Sequence, residues 1–328
     1  MTPRPEAKPE AEELVRRLLA GERRALARAI SLVEDGTAVG HLALALLYSH
    51  TGRAHTVGIT GGSGTGKSTL AGALALEFRR RGRTIGVVAV DPTSPFSHGA
   101  LLGDRIRMPE LTRDPEIFVR SMATRGELGG LASATAEVVA VLDAAGKELV
   151  LIETVGAGQD EVEVASTAET TVVVLTPGGG DGVQAMKAGI MEVADILVVN
   201  KADLPGVDAV VSQLQAMTAM DARGGPATLV LETVATKGDG VAELADAIEE
   251  HRRQEEASGG LEEQRLERAR RQVLALARHE LLAGVVRATE RDGRLEELVA
   301  SVARRELDPY AAAQRLINAA DGGATPNT

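Results

Sequence analysis

Residues 61–68 read GGSGTGKS and fit the pattern G-x-x-x-x-G-K-[ST], between an apolar run typical of a strand and an amphipathic run typical of a helix. Glycine lets backbone N–H groups approach phosphate oxygens, and a helix beginning near Lys67 directs its positive dipole end at the same anion. In this pattern the lysine reaches the β- and γ-phosphates and the Ser68 hydroxyl binds Mg²⁺. The alternative, a glycine-rich turn with a chance Lys-Ser pair, does not need the flanking strand and helix. The predicted nucleotide-binding residues are Gly61, Gly62, Ser63, Gly64, Thr65, Gly66, Lys67, Ser68 and Thr69.

The four residues that follow the apolar run 196–199 read Asn200-Lys201-Ala-Asp203. Ligands meet open parallel sheets at the carboxyl ends of their strands. An aspartate there accepts two hydrogen bonds from the N1–H and N2–H₂ groups of guanine, and adenine offers no such pair, while the Lys201 stem lies along the base plane. Alone, the segment is equally typical of a loop with a helix cap at Asp203; after a phosphate loop it predicts guanine recognition. The later residues Val234 and Ala235 could offer a backbone amide to guanine O6.

Carboxylates end two further apolar runs, Asp91 in VVAVD and Glu153 in LVLIE. Each acid alone is also typical of a helix cap or a turn. Beside a phosphate loop, however, a carboxylate at a strand end is the expected partner of Mg²⁺ or of its waters. Gly156 follows three residues after Glu153 and could donate its amide to the γ-phosphate, so that its loop rearranges when that phosphate leaves. Asp104, beside two arginines, is a further candidate; its alternative is a solvated charged loop.

The composition excludes several classes of protein. The chain has 328 residues, 44% of them hydrophobic, which is typical of a globular protein. The formal net charge of −11 makes binding to nucleic acid or to a membrane surface an unfavourable interpretation. The chain has no cysteine, and its six histidines show no spacing typical of metal ligands. No apolar run approaches the length of a membrane span and the first residues are polar, so we expect a cytoplasmic protein.

The surrounding elements alternate between strand and helix from about residue 53 to residue 254. This alternation predicts an α/β fold of the P-loop NTPase type, with a mostly parallel sheet covered by helices on both faces. Residues 10–50 predict helices, and after the breaker 257–260 a long amphipathic helix and two shorter ones follow. These last helices form either a cap on the main domain or an oligomerisation arm, and we favour the arm. The predicted segments are an N-terminal helical segment (1–50), the nucleotide-binding domain (51–255), the arm (256–320) and a disordered tail (321–328).

The combined motifs resemble the MeaB/ArgK family, the G-protein chaperones of adenosylcobalamin-dependent acyl-CoA mutases. The resemblance covers residues 54–203, through GITGGSGTGKSTL, VAVDPTSPFSHGALLGDRIRM, TRGELGGLA, IETVGAGQ and TPGGGDGVQAMKAGIMEVADILVVNKAD. It implies a deviant P-loop GTPase that forms a homodimer through its C-terminal helices. It also implies that Asp91, Asp104 and Glu153 take part in Mg²⁺ binding and GTP hydrolysis. Adenosylcobalamin would belong to the mutase partner.

The resemblance further implies a mobile loop at residues 177–187 that couples the nucleotide state to the mutase. A plain flexible crossover loop is the alternative. The sequence departs from the family pattern here, with Gly182 where glutamate is usual and Ala188 where basic character is usual. A second departure is Val234-Ala235 in place of Ser-Ala, which a backbone contact to guanine survives. The residues assigned to partner coupling are Gly178, Gly179, Gly180, Asp181, Gln184 and Lys187.

We therefore expect a regulatory GTPase in which Lys67 stabilises charge on the β–γ bridge. The sequence assigns neither a catalytic glutamine nor an arginine finger, so intrinsic hydrolysis should be slow and the partner should raise it. Hydrolysis would gate the loading of adenosylcobalamin into the mutase, or protect or reactivate that enzyme. One alternative is a metal-insertion GTPase, which needs cysteine and histidine ligands, whereas this chain has no cysteine and no clustered histidines. The other is a small-molecule or protein kinase, which has no use for guanine recognition.

Overall fold

The computed structural model divides the chain into two compact units, residues 1–268 and 269–328. The sheet and the nucleotide-binding motifs all belong to the first unit. The segment boundaries expected at residues 50 and 255 stay a prediction. The structure describes residues 7–91, 111–123, 130–154, 167–177, 193–219, 228–290 and 293–320.

Three helices precede the sheet, as the sequence predicts: α1 (Ala7–Leu19), α2 (Arg23–Glu34) and α3 (Ala38–Leu47). Their apolar faces pack together, with Leu14 and Ile30 in the same cluster as Val88 of the sheet. Thr37 begins α3, because its hydroxyl oxygen accepts the N–H of Gly40 at 3.0 Å and satisfies one of the free amides of the first turn. The helices thus share a core with the sheet.

The strands of the sheet are β1 (His55–Thr60), β2 (Ile85–Asp91), β3 (Ile117–Ala123), β4 (Leu149–Thr154), β5 (Thr170–Leu175), β6 (Ile196–Asn200) and β7 (Leu229–Thr233). They are parallel and lie in the order β3-β2-β4-β1-β5-β6-β7. β1, β4, β5 and β6 are buried along their whole length, which explains their continuous apolar runs. The predicted P-loop α/β fold is confirmed.

Helices cover both faces of the sheet, because successive side chains of a strand point to opposite faces. On one face, Val57 and Ile59 of β1 pack with Leu74 and Ile248 of two covering helices. On the other face, the N-terminal helices and the helix after β3 cover β2 and β4. The covering helices are α4 (Lys67–Arg80), α5 (Gly130–Ala144), α6 (Val207–Ala219) and α7 (Val241–Ser258).

The C-terminal helices are α8 (Gly260–Glu290), α9 (Arg294–Ala303) and α10 (Pro309–Ala320). α7 ends at Ser258 because Gly259 adopts the left-handed conformation, with φ of 79°. The second unit begins within α8, where large apolar side chains are more than half exposed. These are Val273, Leu274, Leu281 and Leu282.

A helix that crosses a membrane must be both long and predominantly apolar. No single helix among the described residues meets both requirements. One bent pair, Arg23–Glu34 with Ala38–His50, meets the requirements by length and composition alone.

Candidate functional site

The phosphate loop connects the carboxyl end of β1 to the first residue of α4. Gly61 has φ of 137° and Gly66 has φ of 92°, conformations that favour glycine. A Cβ at Gly61 would lie 2.1 Å from the carbonyl oxygen of Val174, and one at Gly66 would lie 2.5 Å from Nδ2 of Asn200. Both glycines are therefore required by close packing as well as by backbone conformation. Neighbouring elements hold the loop tightly in the path that the sequence motif predicts.

Lys67 places a positive charge inside this loop. Its side chain is buried, and its Nζ donates to the carbonyl oxygens of Gly61 at 2.5 Å and Gly62 at 2.9 Å. Because Lys67 is also the first residue of α4, the ammonium and the positive end of the helix dipole lie together. The arrangement favours an anion at this point.

Ser68 and Glu153 come together although they are 85 positions apart in the sequence. The Ser68 hydroxyl donates to Oε1 of Glu153, whose side chain is 1% exposed at the end of β4. β4 pairs with β1 so that Glu153 lies opposite Ile59, which brings the carboxylate beside the phosphate loop. Hydroxyl and carboxylate oxygens are the ligands that Mg²⁺ prefers, so this pair fits the predicted metal.

Other predicted metal and switch residues are described only in part. Asp91 ends β2, where Val90 lies opposite Thr154 of β4, so its backbone reaches the same edge of the sheet. Within the described residues, no group of three or more His, Cys, Asp or Glu side chains could hold a metal ion. The predicted residues outside the described part of the chain are Asp104, Gly156, Gly178, Gly179, Gly180, Asp181, Gln184 and Lys187.

Asn200 joins the phosphate loop to the loop that follows β7. Its Nδ2 donates to the carbonyl oxygen of Thr65 at 2.8 Å. Its Oδ1 accepts from the hydroxyl of Thr233 and from the N–H of Ala235, both at 3.1 Å. The side chain is 2% exposed, so all three hydrogen bonds are shielded from water. One amide therefore fixes the distance between the two loops.

Lys201 and Asp203 follow Asn200 at the same edge. Lys201 has φ of 60°, a left-handed conformation uncommon outside glycine, and its Nζ donates to the carbonyl oxygen of Gly64 at 2.8 Å. The Lys237 ammonium lies 3.0 Å from Oδ2 of Asp203, and its hydrogen bond lowers the pKa of that carboxyl. An ionised carboxylate is the form that accepts two N–H donors from guanine.

The loop after β7 is closed by its own backbone. The N–H of Val234 donates to the carbonyl oxygen of Asp239 at 3.0 Å, while the N–H of Ala235 binds Asn200. A contact from either amide to guanine O6 stays a prediction. Sequence reasoning missed Thr233 and Lys237 in this region, because two such residues four positions apart on an ordinary strand-to-loop segment match no motif.

The chain is similar in sequence to several known proteins. The model of the family described as methylmalonyl-CoA mutase-associated GTPase MeaB matches residues 26–290. A Pyrococcus abyssi protein that carries a provisional GTPase name is 46% identical over 316 residues, 95% of this chain and 97% of that protein. The mitochondrial methylmalonic aciduria type A homolog of Caenorhabditis elegans is 40% identical over 210 residues, 60% of this chain and 53% of that protein.

The comparison with solved structures extends over nearly the whole chain. The crystal structure of an LAO/AO transport system kinase has a TM-score of 0.71 and 27% sequence identity. The similarity covers 94% of this chain and 97% of that one.

Proposed function

Because the chain belongs to the MeaB family of methylmalonyl-CoA mutase-associated GTPases, we propose that its GTP hydrolysis serves an adenosylcobalamin-dependent acyl-CoA mutase. The cycle would gate the loading of adenosylcobalamin into the mutase and protect or reactivate that enzyme. The cobalamin belongs to the partner, and this protein would act in the cytoplasm.

The observation that carries the nucleotide part of the proposal is the bridge made by Asn200. It holds the phosphate loop, through Thr65, to the loop that contains Ala235. A ligand that spans these loops carries phosphates at one end and a base at the other. With Asp203 ionised beside the base end, the ligand that fits is a guanine nucleotide.

The residues of this chain divide the work of hydrolysis. Lys67 and the amino end of α4 stabilise negative charge that develops on the β–γ bridge. Ser68 and Glu153 would hold Mg²⁺, with Asp91 and Asp104 as further candidates for the metal or its waters. The bound metal would supply charge neutralisation at the phosphates. Gly156 would donate its amide to the γ-phosphate.

We propose that the mutase engages the loop at residues 177–187 and that intrinsic turnover is slow without it. The family description, which names a mutase-associated GTPase, supports this partner. Gln184 and Lys187 would be the working residues of the coupling.

We also propose a homodimer formed through the C-terminal helices. In the second unit, Leu281 is 71% exposed and Val273 is 64% exposed, on a helix with further exposed leucines. Contiguous apolar surface of this kind marks a protein interface, and a two-fold dimer covers the same patch on both copies. Sedimentation equilibrium of the wild type and of a Val273→Asp, Leu281→Asp double variant tests this. A monomeric wild type would overturn it.

The experiment that tests the function is GTP turnover by the purified protein, alone and with candidate acyl-CoA mutases, with ATP as the control nucleotide. We expect slow, GTP-selective hydrolysis that one mutase raises several-fold. Hydrolysis that no mutase changes would overturn the partner, and a preference for ATP would overturn the guanine assignment. Transfer of labelled γ-phosphate to an acceptor other than water would identify a kinase instead.

A further inference from the structure

A pocket of about 580 Å³ lies at the amino edge of the sheet, the edge opposite to the phosphate loop. We name it the base pocket after the basic side chains in its lining, and the name does not refer to the guanine base. His55 and Leu149, the first residues of β1 and β4, lie in its wall, whereas the last residues of both strands lie at the nucleotide site. Its volume is that of a small-molecule site. The lining side chains used below are Arg53, His55, Phe78, Arg83, Lys147 and Arg252.

Cationic side chains outnumber carboxylates in the lining of the base pocket, and some of the carboxylates are already engaged by other groups. Its lining includes four arginines, one lysine and four carboxylates. The carboxylate of Asp143 is engaged by backbone amides, at 2.5 Å from the nitrogen of Gly52 and 3.0 Å from that of Ala54. Two more, Glu148 and Glu249, both approach Arg83, at 3.4 and 3.7 Å. In a chain of net charge −11, this is a local reversal of sign.

Two of the cations lack a carboxylate partner among the described residues. The Arg53 guanidinium donates to the carbonyl oxygen of His50 at 3.0 Å, and the Lys147 ammonium donates to that of Glu116 at 2.9 Å. Neither makes an ion pair within the described part of the chain. Their unused donors are available to an anion, for which guanidinium and ammonium groups are the usual ligands.

The pKa of one lining group reflects the positive charges around it. Burial first, and then the positive charges of Arg252, His251 and Arg83, together lower the pKa of His55 to about 3. Burial also lowers the pKa of Lys147, against the nearby charge of Glu116. An anion in the base pocket would offset the positive charges around His55.

We propose that the base pocket binds a small phosphate monoester. The two unpaired cations, Arg53 and Lys147, match the charge of about −2 that such a group carries at neutral pH. The side chains of Phe78 and Leu149 also border the pocket, but they are 1% and 3% exposed and offer the ligand almost no surface. The phosphate group itself would thus supply most of the binding.

This site would be separate from the nucleotide site but connected to it. β1 and α4 both contribute to the base pocket, through His55 and Phe78, and the same two elements flank the phosphate loop. α4 has 14 residues and so spans about 21 Å at about 1.5 Å per residue. A phosphate probe can therefore be assigned to one site while the other is filled.

The experiment uses the full chain saturated with GDP and Mg²⁺, so that the phosphate loop is occupied. Phenyl phosphate is titrated by calorimetry up to about 20 mM, because probes of this size bind with millimolar constants. Benzoate, inorganic phosphate and phenol are matched probes that change the anionic head, remove the apolar body or remove the charge. We expect phenyl phosphate and inorganic phosphate each to bind one site per chain, and both to bind more tightly than benzoate or phenol. Absence of binding, or equal binding of phenol or benzoate, overturns the proposal.

A variant and a control place the binding in the base pocket. Arg53→Ala should lower the affinity for phenyl phosphate by about tenfold, which is the effect of losing one charge-assisted hydrogen bond. Arg24→Ala removes an equally exposed arginine from α2, outside the pocket, and should leave the affinity unchanged. Equal losses in both variants would reduce the effect to net charge and overturn the site.

A second measurement uses the wild type alone. Phenyl phosphate should shift the imidazole NMR resonances of His55 and raise the pH at which that ring titrates. His41 is exposed on α3 and serves as the control histidine. A shift at His41 without one at His55 would contradict the proposal.

Discussion

The two edges of the sheet hold their polar side chains in different ways. At the carboxyl edge, side-chain N–H groups donate to loop carbonyls, as Lys67 does to Gly61 and Lys201 does to Gly64. At the amino edge, one threonine hydroxyl instead joins two imidazoles. Thr170 is within 2.9 Å of both His55 and His251, which link β1 to α7 through β5. The first arrangement fixes the path of a loop, and the second ties one covering helix to two strands.

The electrostatics of the edges differ in the same sense. At the amino edge, burial lowers the pKa of His55 to about 3. Burial also opposes the charged form of His251, but the hydrogen bond and the charge of Asp195 outweigh it and raise that pKa. Two histidines joined by one hydroxyl thus have opposite shifts. At the carboxyl edge, a buried ammonium instead lies on backbone oxygens. Changes at the two edges should therefore have different readouts.

The largest effect should follow removal of the ammonium in the phosphate loop. Lys67→Ala should lower the affinity for GTP by about 100-fold or more, because a buried charge-assisted contact to the phosphates is lost. Equilibrium binding of a fluorescent GTP analogue measures it. Thermal melting of the same variant checks that the protein folds. Unchanged affinity in a folded variant would remove Lys67 from the site.

Loss of the amide bridge should affect both binding and folding. Asn200→Ala leaves the buried partners Thr65, Thr233 and Ala235 without its hydrogen bonds, which should cost about 2 to 4 kcal/mol of unfolding free energy. Asn200→Asp keeps the acceptor and removes the donor, so it separates the two loops' contributions. Urea denaturation and GTP binding measure them. A variant with wild-type stability would show that the loops are held by other contacts.

The histidines at the amino edge should make the free energy of unfolding depend on pH. Because the pKa of His55 is about 3 when folded and 6.5 in the reference state, the unfolded chain takes up a proton first as the pH falls from 6.5. The stability lost between pH 6.5 and 5 should be about 1.5 kcal/mol. The pKa of His251 is raised in the folded protein, so its contribution to stability is fully present below pH 6.5 and is lost as the pH rises above that value. His251 therefore affects stability in a different pH range from His55.

Urea denaturation at both pH values checks this. His55→Gln should abolish the loss, and the exposed His41→Gln should keep it. If the His55 variant retains the wild-type pH slope, another group is responsible.

The smallest effect should come from Lys237, whose ion pair with Asp203 is exposed. Lys237→Met should change GTP affinity by less than about fivefold, because exposed pairs contribute little. Asp203→Asn is the matched change and should instead abolish the preference for GTP over ATP. Competition binding with the two nucleotides measures both. A large loss in the lysine variant would make Lys237 part of base recognition.

Much of the fold was predictable because the strands carry long apolar runs. β5 and β6 are buried throughout, so their sequences TTVVVL and ILVVN predict strands with little competition from helix. The phosphate loop was predictable because its residues are contiguous and each has a separate requirement. Gly61 and Gly66 show this, since a side chain at either position meets a neighbouring atom.

The remaining parts depend on contacts that no local pattern encodes. Lys237 reaches Asp203 only because β7 lies beside β6. His251 reaches Thr170 because α7 packs across the sheet, 81 positions along the chain. Neither partner follows from helical or strand periodicity, which gives the face of an element but not its neighbour.

The Asn200 bridge has a consequence for how the protein forms and decays. It joins positions 135 residues apart, so a long chain must be ordered before the hydrogen bond exists. Contacts of this kind are expected late in folding, after the transition state. A bound nucleotide should then stabilise the native state but not the transition state for folding. It should slow unfolding and leave the folding rate nearly unchanged. Stopped-flow unfolding with and without GDP would reveal this asymmetry, and an accelerated folding limb would speak against it. In the cell, the lifetime of the protein would thus depend on the supply of guanine nucleotide.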